Sequence, residues 1–133
     1  MTCDDSANDN GSGFNVTYDD DQHDALVAFY KATNGTYWRE NKNWLCDSIS
    51  YCGWEGVECA GVLCDGGSQW HCDKQRNDIV ELIKDYSNLM GTIPQEIGSL
   101  VGLKRLDLDG NELKGTIPSE IGSKVGLHRY YPF

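Results

Sequence analysis

Carboxylates are the residues of this chain whose type and spacing best suit chemistry. Glu81 and Asp85 lie in one stretch, and Asp107 and Asp109 in another. In extended strands such even spacings put all four on one face, and paired carboxylates on a shared face are what glycoside hydrolysis uses. Outward strand positions are also commonly charged for solubility and contact alone. None of His23, His71 and His128 has a nucleophile motif beside it. The chain therefore reads as non-enzymatic. The cysteines from Cys52 to Cys72, with His71, raise zinc. Their spacings are six, four and seven intervening residues, and only Cys59-x₄-Cys64 approaches the short knuckle of a structural zinc site. Calcium fares no better, because setting Gly11 on the EF-hand glycine puts Ser6 first and Thr17 last, where Asp and Glu are needed. Neither a metal nor a cofactor is expected.

Composition bounds the remaining choices. At 133 residues, with 39% hydrophobic and 11% aromatic residues, the chain has room for one folded domain. A net charge of −10 repels phosphate backbones and anionic lipid heads, which argues against nucleic acid and membrane surfaces as partners. No window approaches the roughly 18 consecutive apolar residues of a membrane span. Six cysteines (Cys3, Cys46, Cys52, Cys59, Cys64 and Cys72) crowd the first 72 residues, an even number that suggests disulfides and an oxidising compartment. Sequons at Asn10, Asn15 and Asn34 agree with that reading. The expected location is secreted or extracellular, or alternatively the lumen of an organelle. Met1 is not followed by an apolar signal core, so a mature form or a fragment is expected.

The elements that must position these residues divide the chain in three. Residues 1–20, rich in Asp, Asn, Gly and Ser, read as an acidic flexible arm. Residues 21–77 read as a disulfide-rich cap. In its first part Leu26, Phe29 and Tyr30 share one helical face, with Gly35 as the stop, and Trp38, Trp44 and Trp54 then suggest a packed aromatic cluster. From residue 78 to 133 a 24-residue period takes over: "GTIPQEIGS" begins at Gly91 and "GTIPSEIGS" at Gly115. Leu82 matches Leu106, Leu89 matches Leu113, and Ile93, Pro94 and Ile97 match Ile117, Pro118 and Ile121. Leu103-x-x-Leu106-x-Leu108-x-x-Asn111-x-Leu113 has the spacing of a leucine-rich repeat. Leu106 and Leu108 then point inward from a short strand while Arg105, Asp107 and Asp109 point out. Asn111 turns the chain and bonds the backbones of adjacent coils. Pro118 limits regular pairing, and the "SEIGS" segment supplies a short helical turn on the opposite side.

Two further phrases make the resemblance specific. "L-x-G-x-I-P-x-x-I-G" resembles the plant-type leucine-rich-repeat family, and "CGWEGVEC" (Cys52 to Cys59) is similar to the signature of that family's N-terminal cap. The stretch "DALVAFYKATNGTYWRENKNWL" resembles the helix and Trp segment that open such caps. The resemblance covers about Asp21 to Leu127. It implies an α/β solenoid: a short right-handed leucine-rich-repeat coil with a helical, disulfide-stapled N-terminal cap and strands lining a concave face. It also implies a Cys52–Cys59 disulfide. Cys64 and Cys72 would close a hairpin in the long segment after Cys59, leaving Cys3 with Cys46, although six cysteines permit 15 pairings. The first repeat departs from the pattern, with Lys84 in place of Leu108 and Ser87 in place of Asn111. Lys84 is expected to snorkel its stem along the cap.

After two repeats and the start of a third, the chain ends in "HRYYPF". Either it is a fragment, or something covers the open end, so Leu127, Tyr130, Tyr131 and Phe133 are expected to form a protein contact. Recognition is expected on the concave face, through Glu81, Ile83, Asp85 and Tyr86 of the first strand, Arg105, Asp107 and Asp109 of the second, and Arg129 and Tyr131 of the last. The functional expectation is a non-catalytic binding module, the N-terminal part of a secreted or receptor-like protein, with a protein, peptide or glycan ligand. A structural subunit docking into a larger assembly and an inhibitor of a secreted hydrolase are the alternatives.

Overall fold

Helix α1 (Asp20–Ala32) forms because Leu26, Phe29 and Tyr30 recur at helical spacing, joined on the buried side by Gln22 and Ala25, while Asp21, Asp24 and Lys31 stay exposed. These details come from a computed structural model, which describes Cys3, residues 20–60 and 78–122, and the backbone strand of residues 129–131. The helix stops earlier than the glycine suggests. Thr33 turns its hydroxyl back to the Phe29 carbonyl (2.6 Å), and the left-handed residue is Asn34, at φ 63°. Gly35 serves a different purpose: a Cβ there would lie 2.1 Å from the Tyr30 ring, so only glycine lets the chain pass over it.

Beyond α1 the three tryptophans pack together. Trp38 meets Trp44 edge-on at 4.8 Å between ring centroids, Trp44 lies 5.1 Å from Trp54, and all three are buried. Two of the indole N–H groups reach backbone carbonyls, Trp38 to Thr33 (3.0 Å) and Trp44 to Glu55 (2.8 Å). Disulfides join Cys3 to Cys46 and Cys52 to Cys59. Cys64 and Cys72, with the hairpin expected between them, lie outside the described residues.

Strands β1 (Val57–Cys59), β2 (Ile79–Ile83), β4 (Arg105–Asp107) and β6 (Arg129–Tyr131) form one sheet in that order, and β3 (Met90–Gly91) pairs with β5 (Glu112–Leu113) in a second. The repeat sets the register. Leu82 lies against Leu106 and Leu106 against Tyr130, each 24 residues on, in parallel pairing. β1 joins antiparallel, with Val57 opposite Leu82 and Glu58 opposite Glu81, so the cap contributes a strand of its own to the repeat sheet. A third row holds the 3₁₀ turn Gln95–Ser99 between α1 and the short helix α2 (Ser119–Gly122). Leu82, Leu89, Ile97, Leu100, Leu106 and Leu108 fill the space between the rows with no exposure.

Asn111 ties the coils together. Its Nδ2 donates to the carbonyls of Lys84 (2.7 Å), Leu108 (2.8 Å) and Asp109 (3.2 Å), and its Oδ1 accepts from the N–H groups of Ser87 and Leu89, both at 3.0 Å. Ser87 is too short for that role, and its hydroxyl bonds only the nearby Asp85 carbonyl (2.9 Å).

Candidate functional site

The repeat register sets two rows of positions across the large sheet. The first runs Glu58, Glu81, Arg105, Arg129 across four strands, and the second runs Ile83, Asp107, Tyr131. Neighbouring strands are about 4.8 Å apart, so the first row passes from two acids to two bases over about 14 Å. Strand alternation explains the placement: Leu82 and Leu106 are wholly buried while Glu81, Ile83, Arg105 and Asp107 are half-buried. Arg105 Nη2 lies 3.3 Å from Asp107 Oδ2, two residues along the same face, and Asp107 Oδ1 accepts the Asp109 N–H at 3.2 Å. These contacts fix Arg105 and Asp107 relative to each other. The side chains of Arg129, Tyr130 and Tyr131, and all of Leu127 and Phe133, lie outside the described residues, so the expected C-terminal contact does too.

Asp85, Tyr86 and Asp109 follow their strands rather than lying in them. The Tyr86 N–H still donates to the Asp109 carbonyl (2.8 Å), but the residue adopts φ 47°, in the left-handed region, and its side chain is exposed. Its ring sits against Gly110, where a Cβ would come within 2.4 Å of it. Gly110 stands 24 residues after Tyr86 and is itself at φ 71°. The left-handed position of the repeat thus holds glycine in one coil and tyrosine in the other. Tyr86, Gly110, Arg39, Asn88, Asn111 and Glu112 line a cleft of about 340 Å³. Arg39 is held there by its N–H on the Ser87 carbonyl (2.9 Å), and Asn88 by its Nδ2 on the Tyr37 carbonyl (2.9 Å). Sequence reasoning missed Glu58 in the first row and Arg39, Asn88 and Glu112 in the cleft. The available signal was a tyrosine where the period places a glycine.

Lys84 also departs from expectation. Its ammonium does not snorkel to water. The whole side chain is buried, with Nζ paired to the Glu55 carboxylate, 2.6 Å from the Glu40 carbonyl and 4.5 Å over the Trp38 ring. Burial pulls its pKa below the ordinary lysine value, and Glu55 opposes that shift through its hydrogen bond and charge. A lysine occupies an inward leucine position because the cap supplies a carboxylate, a carbonyl and an aromatic face to receive it.

Of the three sequons, Asn34 is exposed at the end of α1, while Asn10 and Asn15 lie outside the described residues. Among the described residues no three His, Cys, Asp or Glu side chains converge closely enough to hold a metal ion. No helix among them is long and apolar enough to cross a membrane.

Sequence comparison matches the chain to no family model and to no curated protein. Structure comparison is informative. The leucine-rich-repeat ectodomain of the receptor kinase SOBIR1 from Arabidopsis thaliana superposes with a TM-score of 0.57 at 25% identity, over 81% of this chain and 50% of that one. A plant ice-binding protein superposes at 0.60 with 28% identity, over 83% of this chain and 31% of that one. The BIR2 ectodomain from Arabidopsis thaliana shares the fold at 0.55 and 21% identity, over 82% and 55%. The chain therefore spans about half or less of the length of such structures.

Proposed function

We propose that this chain, a plant-type leucine-rich-repeat protein with a disulfide-stapled cap, is a non-catalytic protein-binding module. Its place is extracellular, in a secreted or receptor-like protein, a reading supported by the two disulfides and by the ectodomains that share its fold. In this reading residues 21–77 form the cap and residues 78–133 the recognition repeats.

The observation that carries the proposal is the charge order of the first strand row. Glu58, Glu81, Arg105 and Arg129 occupy successive register positions, and on β1, β2 and β4 the inward residues Val57, Leu82 and Leu106 are buried in the core. Charges at such positions are free of packing duty and held on rigid elements, as recognition requires. A face about 14 Å wide suits an extended peptide or an exposed protein loop. A whole protein partner would reach beyond it to bury the roughly 1,200 Å² of a specific interface.

Selection of a random displayed-peptide library against the full chain tests this reading. Enriched peptides should bind the chain and lose about tenfold in affinity, about 1.4 kcal/mol, to Arg105→Glu. Failure to enrich any peptide, or enriched peptides indifferent to both Arg105→Glu and Asp107→Arg, would overturn it.

A further inference from the structure

The cleft beside the strand face differs in chemistry from the rows. Tyr86 remains 60% exposed although its ring is large and apolar. One face of the ring is backed by Gly110, so its position is set before any ligand arrives. A tyrosine at φ 47° is also conformationally costly where the next coil uses glycine at φ 71°. Neither the core nor the turn needs that ring, which is positioned as an open apolar platform.

The rim supplies hydrogen-bonding groups of both kinds. Arg39 offers donors and Glu112 acceptors; both side chains are exposed, and neither forms an ion pair among the described residues. Asn88 spends its Nδ2 on Tyr37, leaving its Oδ1 as an acceptor. Asn111 is saturated by the backbone and contributes wall alone. Arg39 and Glu112 carry opposite charges, so the cleft has no net preference for an anion or a cation. At about 340 Å³ it falls at the small end of ligand sites, the size of a ligand portion rather than a folded partner.

We propose that this cleft binds a neutral β-linked glucan, with one pyranose ring stacked on the open face of Tyr86 and its hydroxyls bonded by Arg39, Asn88 and Glu112. A pyranose has the required duality. Its hydroxyls each donate and accept around the edge, and when all are equatorial the axial C–H groups make both faces flat and apolar. An axial hydroxyl, as in galactose, spoils one face.

Saturation-transfer NMR on the full chain, with cellotetraose as the probe, tests the assignment. Saturation should reach the axial ring protons most strongly. Tyr86→Ala should weaken binding about tenfold, Tyr86→Trp should retain it, and Arg39→Gln with Glu112→Gln should weaken it. Melting curves of each variant separate lost binding from lost folding; if Tyr86→Ala does not fold, retention in Tyr86→Trp and loss in the rim pair decide. Absence of transfer to cellotetraose, transfer unchanged by a folded Tyr86→Ala, or preference for a charged oligouronide or an aromatic peptide would each overturn the proposal.

Discussion

Lys84, in the first repeat, reaches into the cap to pair with Glu55, 29 residues earlier in the chain, and the two sit in unequal surroundings. The Lys84 side chain has no exposure, whereas that of Glu55 is 36% exposed. Removing one partner is therefore not equivalent to removing the other. Glu55→Ala strands a buried ammonium, leaving it the Glu40 carbonyl and the Trp38 face, and should cost about 2–3 kcal/mol. Lys84→Met leaves a carboxylate that can return to water and adds a flexible apolar chain, so it should cost about 1 kcal/mol or less. Denaturant melts of both variants check the asymmetry, and equal losses would refute it.

The same pair sets a pH dependence. Burial lowers the Lys84 pKa in the folded chain below its ordinary 10.5. Between those two values the unfolded chain binds more protons than the folded one, so stability rises with pH across that window and is flat below it. Relative to Lys84→Met, the parent chain should gain stability as pH climbs toward 10.5. Glu55→Ala, lacking the opposing carboxylate, should begin to gain at a lower pH. Thermal melts in non-reducing buffers from neutral pH upward read both effects, and a parent that loses ground to Lys84→Met would reverse the sign.

Asn111 should be the costliest polar residue of the second repeat. Asn111→Ala removes the acceptor of the Ser87 and Leu89 N–H groups and a donor to the Lys84, Leu108 and Asp109 carbonyls, of which Asp109 keeps the Tyr86 N–H, a loss of about 3 kcal/mol. Asn111→Asp keeps the acceptor but puts a second carboxylate oxygen against the three carbonyls, so it should be no better. Hydrogen exchange at Ser87 and Leu89 should accelerate with Asn111→Ala, which removes their acceptor. Unchanged exchange there would remove Asn111 from its bridging role.

The two disulfides should contribute unequally. Cys3–Cys46 spans 43 residues and Cys52–Cys59 spans 7. In the chain-entropy account the longer closure is worth about 4 kcal/mol and the shorter about 2.5. Paired Cys→Ser variants at each bridge, compared by denaturant titration, measure the difference. A larger loss at Cys52–Cys59 would show that native packing outweighs loop length here.

How much of this was legible in the sequence depended on whether a residue's partner was periodic. Leu82 and Leu106 were legible because they hold the same position in successive repeats, and Asn111 because the Leu-x-x-Leu-x-Leu-x-x-Asn-x-Leu spacing of its own coil marks it. β1 was not, because Val57 and Glu58 sit in a cap phrase too short to show alternation, and their partners Leu82 and Glu81 come after a long intervening segment. Lys84 was misjudged for a related reason: the period marks its position as inward but says nothing of the Glu55 that receives it. Of the site, the strand rows followed from alternation except for Glu58, which β1 adds from the cap. The cleft did not, since Arg39 and Glu112 become neighbours only when the cap lies beside the repeats.

The end of α1 and the edge of the second sheet solve one another's problem. A helix ends with carbonyls that lack partners, and a sheet edge begins with unpaired N–H groups. Here the Thr33 carbonyl, just past the helix, accepts from Met90 (3.2 Å), and the carbonyl of Ala32, its last residue, accepts from Thr92 (3.3 Å). The cap is thus a seed as well as a lid: it presents a ready-spaced acceptor pair on which the first coil can register, and that coil offers Leu89 and Gly91 carbonyls to Glu112 and Lys114 of the next. One ladder of backbone bonds therefore runs unbroken from the helix end through both coils, so a change of register at Thr33 would be passed on to each.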